Sequence, residues 1–264
     1  MRKVIVSVSL WIASDNYFRN GAGLLEKSIL ITGATGGIGR AVAYLLASKG
    51  YSLYLHYNQN EQAMKTLLKE LEPFGKDYLP IRCDLGKKGD YKNIINSIFS
   101  IDGIVHTSGI SHYGLFTDIQ DEMVESLWDI HVSSIMYISR DLLPKMLSKQ
   151  EGNIIVISSI WGQIGASMEV AYSTVKGAQI AFVKALSKEL AFNGIRVNGI
   201  APGAVDTNMM ASFTQEEKTS IQGEIPMGRM ARPEEIAESV LFLLSEKSSY
   251  MTGQILSLNG GWSV

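Results

Sequence analysis

Tyr172 and Lys176 lie four residues apart in Ala171-Tyr-Ser-Thr-Val-Lys-Gly-Ala178. On a helix that spacing puts both side chains on one face, one turn apart. A phenol titrates near pH ~10 in water and is a poor proton carrier at neutrality. An ammonium one turn away favours the phenolate and lowers that value. Such a pair can pass a proton to or from a substrate oxygen. The same spacing also occurs wherever a packed ring sits beside a solvated charge, so its meaning rests on what surrounds it.

Upstream, Ile154–Ile157 reads as a strand running into Ser158-Ser159. Open α/β sheets bind ligands at strand carboxyl ends, where the Ser159 hydroxyl can bond the oxygen that Tyr172 protonates, or simply cap the strand end. Earlier, Thr32-Gly-Ala-Thr-Gly-Gly-Ile-Gly39 follows a strand and opens a helix. Gly33, Gly36, Gly37 and Gly39 let the backbone turn sharply and approach a pyrophosphate. With Thr35 and Ile38 they form a helix N-terminus that offers N–H donors and a positive dipole end. The glycine spacing departs from Gly-x-Gly-x-x-Gly, but the strand-turn-helix context favours nucleotide binding over a structural turn.

The second strand runs into His56-Tyr57-Asn58, with no acidic residue to hold a ribose 2′-OH. A 2′-phosphate is tolerated by His56, Tyr57 and Asn58, which favours NADP as cofactor, although no arginine clamp is evident. Asp84, followed by Leu85, is placed to accept from an adenine amino group or to cap a helix. Past the sixth strand, Pro202, Gly203, Val205 and Thr207 can wrap a nicotinamide ring, with Thr207 near the carboxamide, or form an ordinary Pro-Gly turn.

The elements that must position these residues follow from hydrophobic periodicity. Strands are expected at Ser28–Thr32, Ser52–His56, Tyr78–Arg82, Asp102–His106, Asn153–Ser158, Arg196–Ile200 and Gln254–Ser257. Helical patterns fill the intervals, among them Ile38–Ser48, Glu61–Leu71 and Ala171–Phe192. The alternation predicts an α/β, doubly wound Rossmann fold, a seven-stranded parallel sheet with helices on both faces. One domain is expected over residues 24–264, with a mobile helical lid near 205–232.

The chain has 264 residues, is 46% hydrophobic and carries a formal net charge of -2. That charge gives no reason to expect a nucleic-acid partner. Cys83 is the only cysteine and the four histidines lack metal-ligand spacing, so neither a disulfide framework nor a metal site is expected. A cytoplasmic setting is the natural inference. Val4–Ala13 superficially resembles a signal peptide but has no clean cleavage site and is too short to span a bilayer. Residues 1–23 read as an extension outside the core, with the natural start expected near Leu24 or Leu25.

The Thr32–Gly39 turn, Asp84, Ser159, Tyr172-x-x-x-Lys176, Asn198 and Pro202-Gly203 through Thr207 together resemble the short-chain dehydrogenase/reductase family, from about Ile29 to Trp262. The resemblance implies that Tyr172 is the catalytic acid/base and that Ser159 orients the substrate carbonyl. It implies that Lys176 lowers the Tyr172 pKa and holds the nicotinamide ribose, and that the protein is a homotetramer. Where the family has Asn-Asn-Ala-Gly, this chain has His106-Thr107-Ser108-Gly109, leaving Ser108 and Gly109 as cofactor contacts. The family's catalytic Asn, which helps hold a water chain to the lysine, aligns with His131. An imidazole can keep the relay but changes charge near pH ~6.5, so an acidic limb from His131 is expected.

Within the family the chain resembles 3-oxoacyl-acyl-carrier-protein reductases and, more closely, elongation factor P 5-aminopentanone reductases. The likeness lies in Ser108–Leu115, Ser158–Ala166 and Gly199–Met210, and it places Ser111, His112 and Trp161 on the substrate side. The former commonly have Arg at the positions of Gln150 and Asn193, although Lys145, Lys149 and Lys188 are near. Glu169 can pair with a substrate amine, or act as a helix N-terminal acid on the dipole. The implied partner is a small or protein-linked ketone, elongation factor P in the second case. A competing reading is an NADP-binding redox sensor without turnover.

Overall fold

Seven short aliphatic runs of this chain pair side by side in the computed structural model, which describes residues 27–263. The expected extension at 1–23 and the start near Leu24 or Leu25 lie outside the described residues. The strands are β1 (Ser28–Thr32), β2 (Ser52–Tyr57), β3 (Tyr78–Arg82), β4 (Gly103–His106), β5 (Gly152–Ile157), β6 (Ile195–Pro202) and β7 (Ile255–Leu258). All pairings are parallel, in the order β3-β2-β1-β4-β5-β6-β7. The doubly wound reading therefore holds, and the largest boundary difference among the strands has a local cause. β6 runs on to Pro202 because that residue still aligns with Leu258 of β7 and its carbonyl accepts from Ile160 N–H at 3.0 Å. A terminal proline needs no N–H to do this.

The helices are α1 (Gly37–Ser48), α2 (Glu61–Leu71), α3 (Lys92–Ser97), α4 (Asp121–Trp128), α5 (Ser134–Leu147), α6 (Trp161–Ile164), α7 (Val170–Leu190), α8 (Gln215–Glu224) and α9 (Pro233–Leu244). One face of the sheet is covered by Val42 and Leu46 of α1, Leu67 of α2, and Ile236 and Val240 of α9. The other is covered by Ile94, Ile138, Leu142 and Val183 from α3, α5 and α7. Burial on both faces is why β4 reads as an unbroken buried run.

Strand order reverses between β1 and β4. The loops leaving the two strands part there, and a crevice opens at their carboxyl ends. A single π-helical turn, Asp129–Ser133, joins α4 to α5. Such an inserted turn rotates the following side chains relative to a regular helix, and His131 within it is buried. In the stretch expected as a lid, Val205 bridges to Ala231 at its base. α8 within it is started by a Thr214–Glu217 capping box and buries none of its residues.

Leu46 is fully buried, and a cavity in its place loses both transfer energy and contacts. Leu46→Ala should cost about 2–5 kcal/mol in urea denaturation, while the fully exposed Phe192→Ala should stay within about 0.5 kcal/mol.

Candidate active site

β5 delivers Ser158 and Ser159 to the crevice, and α6 and α7 close over them. Ser158 Oγ donates to the Lys176 carbonyl at 2.9 Å, tying the strand end to α7. Ser159 Oγ accepts from Trp161 N–H at 3.2 Å and hydrogen-bonds the Tyr172 phenol. The long helix α7 presents Tyr172 and Lys176 one turn apart, and Lys176 Nζ lies 5.5 Å from the Tyr172 ring centroid. The four-residue spacing thus yields the expected juxtaposition.

The electrostatics differ from the expectation. Lys176 is 4% exposed; burial pushes its ammonium down to about 7. Its Nζ donates to the Ile157 carbonyl at 2.9 Å and to Gln179 Oε1 at 3.2 Å. Tyr172 keeps some ring exposure, but its hydroxyl end is enclosed. Burial pushes the phenol above its ordinary value, the Glu169 charge adds to that, and the Ser159 bond opposes it. The expected lowering of Tyr172 by Lys176 is not found: desolvation of the phenolate outweighs an ammonium over the ring face.

His131 packs edge-on to Tyr172, with ring centroids 5.6 Å apart. Its Nε2 lies 2.8 Å from the Ile110 carbonyl and 3.1 Å from the Ile110 N–H, so the Ile110 peptide can meet this nitrogen in either tautomer. Nδ1 has no hydrogen-bond partner among the described residues. Burial first, then the Lys176 charge, pushes the imidazole down to about 3. His131 is therefore neutral at every physiological pH, and the acidic limb expected from a free imidazole is withdrawn. Its backbone carbonyl accepts from Gln179 Nε2 at 2.9 Å.

At the cofactor end, Gly33 has φ +69°, and a Cβ there would stand 2.9 Å from Ser108 Cα. A Cβ on Gly37 would stand 2.5 Å from Thr207 Cγ2, so Thr207 packs on the glycine turn. Helix α1 starts at Gly36 with no side-chain cap and no acid in its first turn. This bare, positive helix end fits the pyrophosphate of a dinucleotide. Thr35, Ile38 and Gly39 complete the turn; in the loop after β4, Ser108 faces Gly33 and Gly109 packs against the His131 ring.

His56 does not face a 2′-phosphate. It is buried; its Nδ1 accepts from Gly33 N–H at 3.0 Å and its Nε2 donates to the Cys83 carbonyl at 3.0 Å. The residue pins the glycine turn to β2 and β3. Asn58, Arg82, Asp84 and Lys87 instead line a cleft of about 360 Å³ at the strand ends. Arg82 Nε donates to the Asn58 carbonyl at 3.2 Å. Arg40 pairs with Glu70 elsewhere. Asp84 Oδ1 accepts from Gly86 N–H at 3.0 Å. Tyr57 closes β2 just before Asn58 of this cleft, Leu85 is buried, and Gly203 and Val205 follow Pro202 at the end of β6.

On the substrate side, Glu169 is the N-cap residue of α7 yet makes no capping bond. Its carboxylate instead accepts from the Trp161 indole, and burial pushes its pKa up. Met168, immediately before it, has φ 64°, a strained value for a non-glycine residue. The Met168 carbonyl accepts from Gly114 N–H at 2.8 Å, which ties the loop of Ser111 and His112 to this corner. Among the described residues no hydrogen bond joins Ser111 or His112 to Ser159, Tyr172 or Lys176.

Gln179, Arg82 and Trp262 escape sequence reasoning. Gln179 does leave a trace: it is a polar residue three positions after Lys176, on the buried row of α7. Trp262 meets Trp161 edge-on at 5.1 Å, a contact made only by folding. Among the described residues no helix is long and apolar enough to cross a membrane, and no cluster of side chains could hold a metal ion.

A family model described as enoyl-(acyl carrier protein) reductase matches residues 33–263. The chain is similar to the uncharacterized oxidoreductase YmfI of Bacillus subtilis, 52% identical over 240 residues, covering 90% of this chain and 99% of that protein. It is also similar to the 3-oxoacyl-[acyl-carrier-protein] reductase FabG of Rickettsia typhi, 36% identical over 235 residues, covering 89% and 96%. Among solved structures it resembles the angucycline C-6 ketoreductase LanV with bound NADP, with TM-score 0.84, 26% identity, and 89% and 95% of the two chains covered.

A neutral imidazole contributes no titration near neutrality. His131→Asn should alter the rate while leaving the shape of the pH profile of NADPH oxidation unchanged between about pH 5 and 8. A limb near pH ~6.5 that the substitution removes would contradict this assignment.

Proposed function

The chain belongs to the short-chain dehydrogenase/reductase family, and from that premise we propose that it reduces a ketone to a secondary alcohol with NADPH. The convergence of Ser159, Tyr172 and Lys176 at one strand end carries this reading. NADPH, when bound, supplies the hydride. The α1 N-terminus, Ser108 and Gly109 would hold its phosphates; Asn58, Arg82 and Asp84 its adenosine end; Lys176 and Pro202–Thr207 its nicotinamide end. Ser159 orients the carbonyl oxygen, and Tyr172 gives that oxygen a proton. A phenol pushed up by burial is protonated at neutral pH, which suits reduction. The basic groups at the adenosine end favour the 2′-phosphate of NADP.

The substrate we favour is the 5-aminopentanone carried by elongation factor P. The observation behind it is Glu169. Its carboxylate is half-buried beside Tyr172, is not spent on the helix end and is held by Trp161, as expected of a receptor for a substrate amine. The second reading is reduction of a 3-oxoacyl thioester on acyl carrier protein, which the FabG relatives favour. Lys149, one of the three lysines near the positions of the absent arginines, is already paired with Asp102 at 2.6 Å. A cytoplasmic homotetramer is part of the proposal. The exposed Val124, Trp128, Met136 and Tyr137 of α4 and α5 offer an apolar face for association.

Deleting the gene should leave elongation factor P lighter by the two hydrogens of the missing reduction. The parent gene should restore the mass and Tyr172→Phe should not. An unchanged mass would move the assignment to acyl thioesters, and NADPH binding without turnover of any ketone would support the sensor. Arg82→Ala should raise KM for NADPH about tenfold and leave that for NADH unchanged.

A further inference from the structure

We propose that Gln179 is the positioning residue of this site: its amide sets where the Lys176 ammonium stands beside Tyr172 and couples it to the turn that carries His131. Gln179 is 2% exposed, and both ends of its amide are used. Oε1 accepts from Lys176 Nζ at 3.2 Å and Nε2 donates to the His131 carbonyl at 2.9 Å. The orientation is fixed by chemistry. An ammonium can only donate and a carbonyl can only accept, so a flipped amide would set N–H against N–H and oxygen against oxygen.

Packing alone does not call for this residue. The neighbouring buried positions on the same face, Val175 and Val183, are aliphatic. A buried amide gains nothing over a hydrocarbon unless its polar atoms are satisfied. Here they are satisfied by the catalytic lysine and by the backbone of the residue whose ring meets the catalytic tyrosine edge-on. Contacts run in a circuit: Tyr172 to Lys176, Lys176 to Gln179, Gln179 to the His131 carbonyl, and the His131 ring back to Tyr172. The ammonium has three hydrogens. Ile157 and Gln179 take two, and the third remains for what binds in the cleft. This last role rests on the reductase reading above.

The ionisable groups facing Lys176 are Tyr172 from the start of α7 and His131 from the π turn, with Glu169 acting on Tyr172 from just ahead of α7. β5 contributes the Ile157 carbonyl and the hydroxyls of Ser158 and Ser159, and no ionisable group. The Gln179 oxygen is therefore one of two fixed acceptors that favour the charged lysine against burial.

The test is NMR titration of isotope-labelled lysines in the full chain without cofactor, on the parent, Gln179→Met and Gln179→Glu. Lys176 is recognised as the resonance that is absent in Lys176→Met. Gln179→Met should lower the Lys176 pKa by about one pH unit, and Gln179→Glu should raise it by at least as much. Gln179→Met should also lower kcat on the order of tenfold and move the alkaline limb of the rate to lower pH. A lysine that titrates alike in all three proteins overturns the proposal, as does a Gln179→Met enzyme with parental kcat. If Gln179→Met does not fold, Gln179→Glu, of equal size, decides alone. A parent that binds NADPH but reduces no ketone would sink the reductase reading, while the titration still decides Gln179.

Discussion

Lys176 keeps its ammonium inside the protein, and among the described residues no carboxylate pairs with it. Two oxygens compensate, the carbonyl of Ile157 at the end of β5 and the amide of Gln179 one turn further along α7. An unpaired buried charge is costly unless its donors are satisfied, so these elements must meet within hydrogen-bond distance. The Ser158 hydroxyl on the Lys176 carbonyl closes the same joint from the strand side. Ser159 and Tyr172 are brought together as a consequence of that joint.

The same desolvation decides the charge states in the cleft. It holds Tyr172 protonated, keeps His131 neutral and leaves Lys176 poised near neutrality. A neighbour-by-neighbour reading, in which an ammonium lowers a phenol and an imidazole titrates near its free value, fails here because the penalty for the charged form exceeds the pairwise terms. The outcome is a proton donor beside a cation, with the Glu169 carboxylate acting on the donor from just ahead of α7.

His56 shows how one residue type can be given the wrong neighbour. Counted along the strand it belongs to the ribose end; the fold instead buries it beneath the glycine turn, where it pins Gly33, while Asn58 after β2 and Arg82 of β3 line the cleft. The basic groups of this cleft, Arg82 and Lys87, come from the adjacent strand, β3, and from the loop after it, and on the proposed reading they would meet a 2′-phosphate.

The sequence by itself determined the strand-helix order, the parallel doubly wound sheet, the glycine turn before α1 and the pairing of Tyr172 with Lys176. These are local or periodic properties: hydrophobic alternation, helical spacing and turn chemistry act over a few residues and survive in a linear reading. Tertiary structure alone decided the rest. Gln179 spans to a carbonyl forty-eight positions away, Trp161 finds both Glu169 and Trp262, and His131 loses its titration inside the protein. Burial and contacts between distant segments exist only once the helices have docked on the sheet, and in this cleft they set every ionisation that matters.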